Sequence, residues 1–247
     1  MRTRITRNTD GDATLWLDRP AKRNAIDRSM LQHLSVAVGE IESDRSIRTL
    51  LVRGSDGYFS AGADIGDWAD PSPSEAEEMS RLGTAVFDRL ASLSVPTLAV
   101  IEGGALGGGL ELALACDVRL AAPAALIGYP EARLGNLTSW GGLTRLVDAV
   151  GLAHTRSMFL TGTPVSGRRA YEIGLVHAAP ADLEAAVSEL VADLGAAEPT
   201  AVRTFKLLTA GLEARAPIEP VLAAFFSRSE ASRERKQAFL DRRKVNR

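Results

Sequence analysis

The sequence predicts an α/β fold that ends in a helical segment. Two patterns carry that expectation. Strand-type and helix-type patterns alternate over about three quarters of the chain, and helix patterns alone fill the rest. The third observation is one stretch, Thr97 to Asp117, where a buried strand turns into a helix. Leu98 to Ile101 is an apolar run with β-branched residues, and Leu110 to Ala115 are good helix formers. Between them lie Gly103, Gly104, Gly107, Gly108 and Gly109. Glycine accepts positive φ and lets backbone approach a ligand closely. The first N–H groups of the following helix lack partners within it, and they suit a developing negative charge. Glu111 falls in the first helical turn, where the helix dipole is expected to favour its ionised form.

The elements follow in order. Arg2 to Arg7 and Ala13 to Leu17 alternate as strands around an Asp-Gly pair, the mark of a hairpin. Asp18 to Ala25 is a polar loop, and Asp27 is the expected N-cap of a helix through Ile41. Thr49 to Val52 is a short buried strand. Phe59 to Ile65 is a loop of small residues after it. Ser74 with Glu77 is expected to form a capping box for a helix to about Leu93. Beyond the glycine stretch, Val118 to Ala121 and Leu126-Ile127 read as strands. Gly128-Tyr129-Pro130-Glu131 begins a turn. Gly141 to Val150 and Leu152 to Leu160 look helical. Ser166 caps a helix ending at Gly174, and Leu175 to Ala178 is expected as a last strand. From Asp182 onward the pattern is helical, broken at Glu198-Pro199 and Ala216-Pro217.

Composition narrows the classes of function. A chain of 247 residues, 45% hydrophobic, can bury a sizeable core in one domain with a small appendage. A net charge of −2 argues against nucleic acid as the partner. The single cysteine, Cys116, excludes an internal disulfide framework and fits a reducing cytoplasm. No apolar run of the length that a transmembrane helix needs is present, and no apolar run follows the charged start as in a signal peptide. His33, His154 and His177 are scattered without metal-ligand spacing, so no metal site is expected. The glycine cluster fits neither the dinucleotide fingerprint nor the phosphate loop, since no Lys lies between Lys22 and Lys206. A Gly-x-Ser-x-Gly elbow is absent as well.

Several pieces, in this order and spacing, resemble the crotonase superfamily, the enoyl-CoA hydratase/isomerase family. They are Lys22-Arg23-Asn24-Ala25-Ile26, Phe59 to Ile65, Ala105 to Asp117, Gly128-Tyr129-Pro130-Glu131, Leu160 to Ser166 and Ala170 to Val176. The resemblance implies a crotonase-like spiral of ββα units over residues 1–195, carrying an acyl-CoA site. It implies a C-terminal helical trimerisation segment over residues 196–247, which also covers the CoA. Acyl-CoA thioesters are the implied substrates, as in fatty acid metabolism, and the implied assembly is a homo-trimer or a dimer of trimers. Coenzyme A would be part of the substrate, with no separate cofactor.

The resemblance places an oxyanion hole at the backbone N–H groups of Ala63 and Gly108. It makes Glu111 and Glu131 the catalytic pair, with Glu111 activating water and Glu131 delivering the proton. Glu131 follows an apolar strand and a proline, so burial is expected to keep it protonated. CoA is expected against Lys22, Arg23, Ala25, Ala61, Asp64 and Ile65, with the basic run Arg233, Arg235, Lys236, Arg242, Arg243 and Lys244 closing over it. The acyl group is expected near Tyr129, Ser139 and Trp140. Here the chain departs from the family, which has Pro-Gly-Ala-Gly-Gly where this sequence has Thr138-Ser139-Trp140-Gly141-Gly142, and Gln where it has Tyr129. Those departures predict a reshaped acyl pocket. The carboxylate pair favours syn hydration of a 2-enoyl-CoA, or its reversal. The alternatives are another enolate reaction of the family (isomerisation, decarboxylation or C–C hydrolysis) and, from a different class, an RNA-binding role.

Overall fold

The structure is a computed structural model that describes residues 2–67 and 72–209, with Glu230 and Glu234. The hairpin forms as its Asp-Gly pair predicts: β1 (Thr3–Arg7) pairs antiparallel with β2 (Asp12–Leu17). Asp27 caps α1 (Arg28–Ser43), its carboxylate accepting from the Met30 N–H at 2.7 Å. Met30, Leu31, Leu34, Val38 and Ile41 then fall on one buried face. β3 (Thr49–Gly54) follows, and α2 (Pro73–Ala91) after it. The capping box of α2 is built by Ser72 and Glu75, two residues before the expected Ser74 and Glu77. Pro73 explains the shift, because its fixed φ and missing N–H suit the first helical position.

β4 (Thr97–Ile101) runs into the glycine stretch, which is more than a turn: Gly104–Leu106 forms a short strand, β5. α3 (Gly108–Leu114) starts directly after it. β6 (Val118–Ala121) and β7 (Leu126–Gly128) come next, then a 3₁₀ turn over Glu131–Leu134. α4 (Gly142–Thr161) is interrupted at Gly151, whose φ of 71° is non-helical, so two helical segments lie where two were expected. β8 (Val165–Ser166), α5 (Gly167–Glu172) with Ser166 as its cap, α6 (Leu183–Ala196) and α7 (Pro199–Thr209) complete the described elements. Leu175 to Ala178 does not form the expected strand and contributes one bridge, Ala178 to Leu120. The expected break at Ala216-Pro217 lies outside the described residues.

Five strands make one sheet in the order β1-β2-β3-β4-β6, parallel except at the hairpin. A second sheet runs β5-β7-β8. Leu50 to Val52 of β3 and Leu98 to Ile101 of β4 are continuous apolar runs because both faces are covered. Leu50, Val52, Ala99 and Ile101 join the main core, while Leu51, Leu98 and Val100 pack with Val187 of α6. The chain divides into two compact units, Met1–Gly195 and Ala196–Arg247. Among the described residues, no helix is long and apolar enough to cross a membrane.

Candidate active site

Two bridges hold the site's backbone. Ser60 bridges Ala105, and Ile26 bridges Ala63. In the second, Ile26 N–H donates to Gly62 C=O at 2.7 Å, and Asp64 N–H donates to Ile26 C=O at 3.0 Å. Parallel pairing of this kind turns the Ala63 N–H away from Ile26. Gly108 opens α3, and its nitrogen would lie 3.2 Å from a Cβ built on Gly62, so the two peptides are neighbours. Gly107 precedes it at φ +51°, and a Cβ there would lie 2.2 Å from Glu131 Oε1. Only glycine lets the backbone pass this close to the carboxyl group.

Glu111 is 2% exposed. Its Oε1 accepts from the N–H groups of Trp140 at 2.8 Å and Gly142 at 2.9 Å. Burial raises its pKa above the ordinary carboxylate value, against the pull of those amides and of Arg145. The pull of the surrounding N–H groups toward the ionised form is thus present, and desolvation outweighs it. Glu131 begins the 3₁₀ turn after Pro130. Its Oε2 is buried without a hydrogen-bond partner. Burial pushes its pKa up to about 7, its own backbone N–H opposes the rise, and the charge of Glu111 adds to it.

One cavity of about 420 Å³ gathers Ala63, Gly108, Glu111, Glu131, Ser139 and Trp140. Ala76 and Ser80 of α2, with Asn136, Leu137 and Thr138, complete its wall. Neither α2 residue was singled out in the sequence. Their signal is a small pair one helical turn apart, which polar composition around them hides. Ser139 lends its carbonyl to Thr84 Oγ1 at 2.8 Å and Ser80 Oγ at 3.3 Å, tying the loop to α2.

Trp140 is 4% exposed, so most of its ring is core and not acyl pocket. It meets Phe87 edge to face at 5.5 Å and 84°. A Cβ at Gly83 would lie 2.3 Å from its Cδ1, and one at Gly108 2.3 Å from its Cζ3. The ring thus fills a slot between two glycines. Tyr129 is fully buried and is not among the cavity's lining residues.

Lys22, Arg23, Ala25, Ala61, Asp64 and Ile65 do not line the cavity either. They lie on two segments joined by the Ile26–Ala63 bridge and by Ala61 N–H donating to Arg23 C=O at 2.9 Å. Lys22, Arg23 and Ile65 are exposed, and Ala25 is buried. Arg23 stacks over the Tyr58 ring, its guanidinium carbon 5.6 Å from the centroid. Asp64 is engaged by Arg19, which holds its carboxyl below the usual range. Asn24 ties the first segment to the turn after β3, donating to the carbonyls of Ser55 at 2.9 Å and Tyr58 at 2.6 Å. The basic run Arg233, Arg235, Lys236, Arg242, Arg243 and Lys244 lies outside the described residues. Among the described residues, no three His, Cys, Asp or Glu are grouped to hold a metal ion.

A family model described as enoyl-CoA hydratase/isomerase matches residues 8–246. The chain belongs to the enoyl-CoA hydratase/isomerase family. It is 32% identical over 244 residues to a short-chain-enoyl-CoA hydratase of Clostridium acetobutylicum, covering 94% of this chain and 92% of that protein. It is 38% identical over 167 residues to the mitochondrial methylglutaconyl-CoA hydratase of Rattus norvegicus, covering 67% of this chain and 53% of that protein. The structure of Pseudomonas aeruginosa DspI superposes with a TM-score of 0.90 at 32% identity, covering 98% of this chain and 94% of that one. For this member of the enoyl-CoA hydratase/isomerase family, the crotonase fold expected from the sequence is therefore shown. Acyl-CoA is the kind of substrate consistent with membership.

Proposed function

We propose that the protein is an enoyl-CoA hydratase, adding water syn across the double bond of a 2-enoyl-CoA or removing it from a 3-hydroxyacyl-CoA. The observation that carries this reading is the presence of two carboxyl groups of unlike character in one cavity. Glu111, held by two peptide N–H groups, takes a proton from water as the oxygen attacks Cβ. The displaced electron pair moves onto the thioester oxygen, forming an enolate. Glu131, poised near neutrality, delivers its proton to Cα. The N–H groups of Ala63 and Gly108 receive the enolate oxygen, a contribution that typically amounts to about 10²–10³ in rate per donor. Coenzyme A enters as part of the substrate, on the loop from Ala61 to Ile65 beside Lys22 and Arg23, and the reading calls on no resident cofactor. A cytoplasmic homo-trimer or dimer of trimers is the proposed working form.

The test is loss of enoyl-thioester absorbance with crotonyl-CoA and a panel of longer and branched enoyl-CoAs, with Glu111→Ala and Glu131→Ala as controls. Loss in the parent and in neither control supports the hydratase. Binding of the panel with no loss would point to the isomerase, decarboxylase or hydrolase reactions. A pH profile tests the roles. An acid must be protonated to work, so kcat/KM falls as pH rises through about 7, the value for Glu131. A profile flat from pH 6 to 9 would remove Glu131 from the acid's role.

A further inference from the structure

Tyr129 follows β7 and is 0% exposed, yet its hydroxyl has no hydrogen-bond partner. Its ring is fixed against Phe159, with centroids 6.5 Å apart at 52°. Gly142 shows where the hydroxyl sits. A Cβ at that glycine would lie 2.4 Å from Tyr129 Oη, 2.8 Å from Glu111 Oε1 and 2.3 Å from Glu111 Cγ. The phenol oxygen and the Glu111 carboxyl therefore border the same small space. Two residues further on, Glu131 Oε2 is a second buried oxygen with no partner. Leaving a buried hydroxyl unpaired is costly, and such groups in native proteins are as a rule satisfied by protein or ordered water.

Three charged groups face this phenol: Glu111 from α3, Glu131 from the turn after β7, and Arg145 from α4. Burial and the two carboxyl groups keep its proton on, against the weaker pull of Arg145. A protonated phenol has one O–H to give. The carboxylate that lies beside it is Glu111, whose Oε1 already takes two main-chain donors.

We propose that Tyr129 is a positioning residue of the carboxylate pair, its O–H donating to Glu111 through one bound water that also reaches Glu131. It fixes the base and leaves the cavity surface to the substrate. This rests on the hydratase reading for its kinetic consequence, not for its structural one.

Tyr129→Phe removes the oxygen and keeps the ring, so packing against Phe159 survives. With crotonyl-CoA, kcat falls by about 10–100-fold while KM stays within about 3-fold, since the lost donor served a charged group. The acid limb of kcat moves to higher pH, because the ionised form of Glu111 has lost a hydrogen bond. An activity-independent readout is the ¹³C resonance of the glutamate side-chain carboxyls, assigned with Glu111→Gln and Glu131→Gln: the Glu111 midpoint rises in Tyr129→Phe. An unmoved Glu111 midpoint with unchanged kcat overturns the proposal. So does a lower melting temperature with an unmoved acid limb, which would mean that the hydroxyl serves only packing. Should the parent hydrate no enoyl-CoA, the hydratase reading fails and the carboxyl titration still decides the place of Tyr129.

Discussion

Glu111→Gln lowers kcat for crotonyl-CoA hydration by about 10³-fold and leaves KM within about 3-fold, the mark of a group needed in the transition state alone. Glutamine matches glutamate in shape, and its side-chain oxygen still accepts from Trp140 and Gly142, which bond Oε1 in the parent. What it lacks is a site for the proton of water. Glu111→Ala differs in kind. It removes the acceptor from two buried N–H groups and opens space beneath them, so stability falls as well, by about 1–3 kcal/mol for each group left unpaired. Steady-state kinetics on both variants, with thermal unfolding beside them, separate chemistry from support. Retention of more than a tenth of parental kcat in Glu111→Gln would mean that another group is the base.

Trp140→Ala costs about 3–5 kcal/mol of stability, the usual range for emptying a large aromatic from a core. At this chain length, the melting temperature drops by about 2–4 °C for each kcal/mol. A partner substitution makes the test sharper. Gly83 lies inside α2, where alanine is ordinarily favoured over glycine by about 1 kcal/mol. Here a Cβ would lie 2.3 Å from Trp140 Cδ1, so Gly83→Ala destabilises the parent. In the Trp140→Ala background the slot is empty, and the same substitution stabilises. Calorimetry at one protein concentration gives the double-mutant cycle, and the two sites are strongly non-additive. A higher melting temperature for Gly83→Ala in the parent would show that the ring does not occupy this slot.

Local chemistry was legible in the sequence; what depends on distant packing was not. Asp27, Ser166 and the Asp-Gly hairpin each act through bonds to residues a few positions away, and each did what its neighbours predicted. The capping box slipped by two residues because Ser72-Pro73 and Ser74 offer competing starts, and Pro73 decides between them. Leu175 to Ala178 has the composition of a strand but meets only one partner position, so composition had no ladder to join. At the site, Ala63, Gly108, Glu111, Glu131, Ser139 and Trp140 do converge on one cavity. The orientation of Trp140 was hidden because it depends on Gly83 and Phe87, more than fifty positions earlier along the chain. Ala76 and Ser80 were hidden for the same reason: α2 reaches the cavity through tertiary packing that no local pattern encodes.

The bridges Ile26–Ala63 and Ser60–Ala105 tie the peptides around Ala63 and Gly108 into paired backbone. A peptide N–H belongs to every residue except proline, so its presence there is nearly blind to the genetic code. Apart from a change to proline, substitutions at Ala63 alter the side chain and leave the donor standing. The rest of the lining is different, since Ser80, Asn136, Leu137 and Ser139 carry side chains that substitution can change. Substitutions can therefore rewrite the side chains of that lining, position by position, while the main-chain donors at Ala63 and Gly108 stay in place.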